Sequence, residues 1–144
     1  MLTQQSGSKE DRLSLWKGFR DSIKELDTDQ QIEEVAKFFS KTPISSRNVD
    51  FYTPSSWPTP WEILHTGDFC FSSISLLMYY SLDLLDTFDR DLQIWLIDTT
   101  EDRFIVPVVD SKFILNYEFG KISTIQDSTT VVEKFSNGDI AHFS

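Results

Sequence analysis

The sequence predicts an α+β domain: N-terminal helices and one buried central helix packed on an antiparallel sheet meander. Two observations point there. Apolar residues follow a helical period as far as about Leu85 and gather into short β-rich runs separated by turn residues from Leu92 onward. A chain of 144 residues with 40% hydrophobic and 14% aromatic content is also the right size to close a single core, so 1–144 reads as one domain with a loose polar lead over 1–8.

Taken in order, Leu13, Trp16, Phe19, Ile23 and Leu26 set one apolar stripe, predicting an amphipathic helix over Lys9 to Leu26. Thr28 with Gln31 three residues on gives a capping-box pattern, and Ile32, Val35, Ala36 and Phe39 form the buried face of a second helix closed by Pro43. Ile44 to Pro60 holds Pro54, Pro58 and Pro60 with Tyr52 and Trp57, a composition that neither a helix nor a central strand accepts. It reads as a packed loop. Thr59-Pro60-Trp61-Glu62 is a second capping box with proline at the first helical position, predicting a short helical turn to His65. From Phe69 to about Leu85 nearly every position is apolar, as expected for the helix at the centre of the fold.

After the acidic turn Asp86 to Asp91, strands are expected at Leu92 to Ile97, Phe104 to Val109, Phe113 to Glu118, Ile122 to Ile125 and Thr130 to Phe135. Pro107 places the second of these at an edge or a bulge. Asn137-Gly138 signals a final turn.

Charge and composition exclude several functions. With 23 acidic against 13 basic residues the net charge is −10, which repels nucleic-acid phosphates and anionic membranes. A protein partner fits better; oligomeric state has no signature. Met1 to Asp11 is polar and lacks the apolar core expected of a signal peptide, no run approaches the roughly 18 apolar residues of a membrane span, and one cysteine leaves no internal disulfide. These features predict a cytoplasmic protein or a component of an assembled particle. The sequence shows no phosphate-binding glycine loop, serine nucleophile elbow or metal-ligand spacing, so no cofactor or metal is expected; Asp86, Asp89 and Asp91 lack the glycine and spacing of a calcium loop.

Cys70 is the residue with chemistry to explain. Gly67 and Asp68 before it suggest a bend and an N-cap, making Cys70 the second residue of the central helix. There the helix dipole and unpaired amides favour a thiolate. A small buried apolar residue is the plainer alternative. Nucleophilic use needs an imidazole, and the chain has two, His65 and His142. Trp57, Trp61 and Trp95 could line a recognition groove or simply pack.

The run Trp57-Pro58-Thr59-Pro60-Trp61-Glu62-Ile63-Leu64, then Gly67-Asp68-Phe69-Cys70 and a long helix, resembles the nucleophile segment of the bacterial transglutaminase-like cysteine peptidases. The likeness extends over about Trp57 to Phe119. It implies a papain-like α+β fold and, in active members, a Cys, His and Asp acting on amide bonds. Carried onto this chain, Cys70 matches the nucleophile, with Phe69 inserted after the Gly-Asp pair. The family histidine would fall at the start of Arg103-Phe104-Ile105, which contains none, and the third residue would be Asn116. The resemblance therefore implies a degenerate member that binds a protein as an inhibitor, adaptor or assembly part, viral assemblies included, with Trp57, Trp61, Asp68 and Phe69 at the recognition surface. The alternative is an active hydrolase or acyltransferase using Cys70, with His65 or His142 as base and Asn116 as orienter.

Overall fold

A computed structural model of the chain describes residues 8–40, 42–45, 49–99, 102–116, 121–125 and 129–140. Four helices precede five strands: α1 Lys9–Ile23, α2 Thr28–Phe39, α3 Pro60–Thr66, α4 Phe71–Asp83, β1 Leu92–Asp98, β2 Arg103–Val109, β3 Phe113–Asn116, β4 Lys121–Thr124 and β5 Thr130–Phe135. The α+β class expected from the sequence is what is observed.

Caps set the helix bounds. Ser8, expected in the loose lead, is instead the N-cap of α1: its hydroxyl accepts from Asp11 N while the Asp11 carboxylate accepts from Ser8 N. The N-cap of α2 is Asp27 rather than Thr28, because the Asp27 carboxylate reaches Gln30 N at 2.8 Å. That frees Gln31 from the expected capping box. It is buried, and its amide donates to Ile23 O at 3.1 Å and Thr87 Oγ1 at 2.9 Å, tying the end of α1 to the loop after α4. The first helix accordingly stops at Ile23, three residues short of Leu26.

Helix α4 is buried all round from Ser72 to Leu82. It lies on β2 and touches β1 and β3, with α2 and α3 packed on its other sides and α1 outside α3. At its C-terminal end the Trp16 indole donates to Ser81 Oγ at 2.8 Å, and Ser81 donates to Leu77 O. Asn137, in the predicted Asn-Gly turn, donates to Tyr79 OH and to Asp83. The rings of Tyr79 and Tyr80 meet edge to face with centroids 5.2 Å apart. Burial, then the Asp83 charge, pushes the Tyr80 phenol up to about 12 and raises Tyr79 as well.

The sheet order is β4-β3-β2-β1-β5, all antiparallel. This corrects the expected meander at one point: β5 returns to the far side of β1, with a register break between Leu96 and Ile97. It also places β2 at the centre, so that of the edge or bulge expected from Pro107 the edge does not hold. Pro107 is accommodated because the β2–β3 register covers Val108 and Val109 alone, so the strand is locally one-sided at the residue that lacks an N–H. Ile94, Leu96, Ile105, Val109 and Leu115 pack on the helices. Trp95, Ile97, Val106, Val108 and Ile114 form a second buried cluster. Tyr117, Glu118 and Phe119, expected at the end of the third strand and in the turn after it, lie outside the described residues, as does His142. Among the described residues no helix is long and apolar enough to cross a membrane.

Candidate functional site

The α3–α4 junction carries the site. Thr59 and Glu62 close the expected capping box of α3: Thr59 Oγ1 accepts from Glu62 N, and the Glu62 carboxylate accepts from Thr59 N, each at 3.2 Å. Pro60, Ile63 and Leu64 turn inward, leaving Trp61, Glu62, His65 and Thr66 on the outer face. Gly67 ends the helix in the left-handed conformation, φ 68°, donating to Ile63 O at 3.0 Å. A Cβ there would lie 2.8 Å from the buried Arg12 guanidinium, whose Nε and Nη2 donate to Leu64 O and His65 O. Glycine is therefore required twice over, by backbone and by space.

Using Gly67 as the C-cap of α3 shifts the start of α4. Asp68 and Phe69 continue the chain, and Cys70 is the N-cap rather than the second helical residue, with φ −129° and ψ 173°. Its partner is Ser73. The Cys70 N–H donates to Ser73 Oγ at 2.8 Å, and Ser73 N–H donates to Cys70 Sγ at 3.4 Å, a capping box with sulfur as the accepting atom. Ser45 N–H donates to Phe69 O at 2.7 Å in an isolated parallel bridge, which holds Cys70 from the other side. Cys70 is 8% exposed.

Beside Cys70 is a cavity of about 350 Å³ lined by Val49, Pro58, Glu62, Ile63, Thr66, Asp68, Cys70 and Ser73. The 49–58 loop that forms one wall is organised by Asp50, whose carboxylate accepts from Tyr52 N and Thr53 Oγ1 and is thereby held below its ordinary pKa. A neighbouring hollow of about 370 Å³ is lined by Trp61, Glu62, His65 and Thr66. His65 thus faces the hollow on the outer side of α3. Among the described residues the hydrogen-bond partner of Cys70 Sγ is Ser73, and His65 does not line the cavity into which Cys70 opens.

The start of β2 comes to the same place. Phe104 packs on Phe71, the first residue of α4, with ring centroids 4.7 Å apart. Beside it Arg103 donates to both carboxylate oxygens of Asp98, at 2.6 and 2.9 Å, and to Tyr52 OH. The hydrogen bonds and charge of Arg103 hold the Asp98 carboxyl below its ordinary value, and Asp98 in turn raises the guanidinium. Asn116 ends β3 with its backbone paired to Lys121.

Two expected recognition residues are buried. Trp57, 3% exposed, packs edge-on against Phe135 and donates its indole N–H to Asp50 O, so it anchors the loop. Phe69 is fully buried because the chain bends inward between Gly67 and Cys70. Trp95 is buried too, with Lys134 over its ring. Asp68 lines the cavity beside Cys70, and Trp61 lines the neighbouring hollow. Sequence reasoning missed Glu62, Thr66 and Ser73 as lining residues. The four-residue spacing of Glu62 and Thr66 on one helix face was the available signal; Val49 and Pro58 arrive by a long-range loop with no local signal. Among the described residues no three His, Cys, Asp or Glu side chains gather as a metal site.

Solved structures that share this α+β architecture include those of LapG from Legionella pneumophila. The calcium-bound form superposes with a TM-score of 0.74 at 18% identity, covering 91% of this chain and 77% of that one. A second LapG structure gives 0.72 at 19% identity over 92% and 78%, and the EGTA-treated form 0.71 at 21% over 92% and 77%. At such identities the likeness extends to the fold. No family model matches the sequence, and no curated protein matches it.

Proposed function

We propose that the chain works by gripping a protein partner in the cleft along α3 and the start of α4, without turning over a substrate. One observation supports this above the others. At the start of β2, beside the first residue of α4, where the sequence resemblance would set an imidazole, Arg103 and Phe104 stand instead. A guanidinium stays protonated throughout the working range of proteins, so it cannot take a proton from a thiol or return one to a leaving amine. Arg103 is moreover committed to Asp98 and Tyr52.

A second reading has its own support: Cys70 lines a cavity at the head of the most buried helix, where a nucleophile would stand. In that case Cys70 attacks the amide carbonyl and His65 or His142 supplies the base.

The two separate on turnover. A peptide nitroanilide reports amide hydrolysis, and casein with a fluorescent primary amine reports acyl transfer. The binding role predicts the same background signal from the native protein and Cys70→Ser. Turnover that vanishes in Cys70→Ser overturns it, and loss of the same turnover in His65→Ala would identify the base.

A further inference from the structure

We propose that Asn137 is a site of spontaneous deamidation, and that its conversion to aspartate or isoaspartate loosens the C-terminal end of α4. The chain has three asparagines. Asn48 precedes Val49 and Asn116 precedes Tyr117, whereas Asn137 precedes Gly138. Deamidation begins when the main-chain nitrogen after an asparagine attacks the Cγ of that asparagine. A bulky following residue hinders the approach, and glycine, without a Cβ, admits it.

The turn leaves that nitrogen available. Residues 136–139 are closed by Asp139 N–H donating to Ser136 O at 3.0 Å, and by Ser136 N–H and Oγ donating to the Asp139 carboxylate at 3.0 and 3.1 Å. None of these bonds uses Gly138, whose N–H has no hydrogen-bond partner among the described residues. Asn137 and Gly138 are both exposed, so solvent base and water reach them. Solvent base takes the Gly138 N–H proton, the nitrogen bonds to Asn137 Cγ, and the Cγ–Nδ2 bond breaks, releasing ammonia that has taken a proton from solvent. Water then opens the cyclic imide. Addition at Cγ gives aspartate, and addition at the main-chain carbonyl gives isoaspartate.

The position of the amide makes its loss consequential. Asn137 Nδ2 donates to Tyr79 OH at 3.1 Å and to Asp83 Oδ1 at 2.8 Å. These bonds restrain the side chain and slow the reaction. A carboxylate has no hydrogen to donate, so conversion removes both and sets a negative charge beside the Asp83 carboxylate. The isoaspartyl form also adds one carbon to the main chain between Phe135 and Ile140, which are both buried.

The whole chain, aged in warm, mildly alkaline buffer and mapped by peptide mass spectrometry, should gain the mass difference between a hydroxyl and an amino group at Asn137 before Asn48 or Asn116. Gly138→Ala should slow this about tenfold. A Cβ there meets Ser136 Oγ at 3.8 Å, an ordinary contact, so the turn is kept. The aged protein should melt about 4 °C below the fresh protein. Gly138→Ala aged alongside should keep its melting temperature, which separates this reaction from other damage. Asn137→Asp, which builds in one product, should show the same fall without ageing. No mass gain at Asn137, a gain no faster than at Asn48 or Asn116, or an aged protein or Asn137→Asp that melts with the fresh native chain would each overturn the proposal.

Discussion

The two ends of α4 are built on different terms. Its C-terminal end is closed by nitrogen donors from two directions, Trp16 on Ser81 and Asn137 on Tyr79 and Asp83, with the Tyr79 and Tyr80 rings packed edge to face between them. Its N-terminal end is capped by a thiol, a poorer acceptor than the hydroxyl or carboxylate that usually fills an N-cap, and it opens on a cavity. One end is optimised for holding. The other gives up some capping strength and keeps an open cavity, the pattern expected where a site is maintained at the expense of local stability.

Substitutions and pH can break or sharpen that contrast. Trp16→Ala, at the closed end, removes a fully buried ring and leaves Ser81 without its donor; urea denaturation should show a loss of about 4 kcal/mol. A loss below about 1 kcal/mol would mean that this end is not where stability resides.

Alkaline titration comes next. Tyr80, and with it Tyr79, ionises with more difficulty in the fold than in the unfolded chain because burial disfavours the phenolate. A raised folded-state value means this contribution is intact below the ordinary tyrosine value of about 10 and is lost as pH climbs through the folded value, about 12 for Tyr80. Phenolate absorbance should therefore rise in step with loss of near-ultraviolet dichroism. Smooth titration near pH 10 with the fold intact would contradict the closed end.

The smallest effect belongs to the open end. Cys70→Ser replaces a weak sulfur acceptor by a good oxygen one toward Ser73 N–H and should leave stability unchanged or raise it by up to about 1 kcal/mol in thermal melts. A loss comparable to that of Trp16→Ala would make the sulfur a packing element and erase the difference between the ends.

How much of this was legible depended on range. The Thr59–Glu62 box and the buried run of α4 were readable because each is settled within a few residues. The start of α4 was misread because Asp68 is the better cap by chemistry. Gly67 is taken by α3 as its C-cap and Ser73 stands three residues after Cys70, so two signals in the sequence pointed to Cys70 and a stronger propensity concealed them. The return of β5 to β1 and the central place of β2 follow from long-range pairing, which no local pattern encodes. At the site, Cys70 was singled out by its rarity. Arg103 was legible only as an absence of histidine, because its hold on Asp98 needs the β1–β2 register and its bond to Tyr52 needs the folded loop.

The bridge from Ser45 to the Phe69–Cys70 segment has one more consequence. The chain's single thiol is shielded where two stretches more than twenty residues apart meet, so its chemical accessibility is a built-in gauge of whether they have come together. Pulse labelling of that thiol during refolding would time the closing of this junction with no introduced dye, separately from the tryptophan fluorescence that reports the rest of the interior.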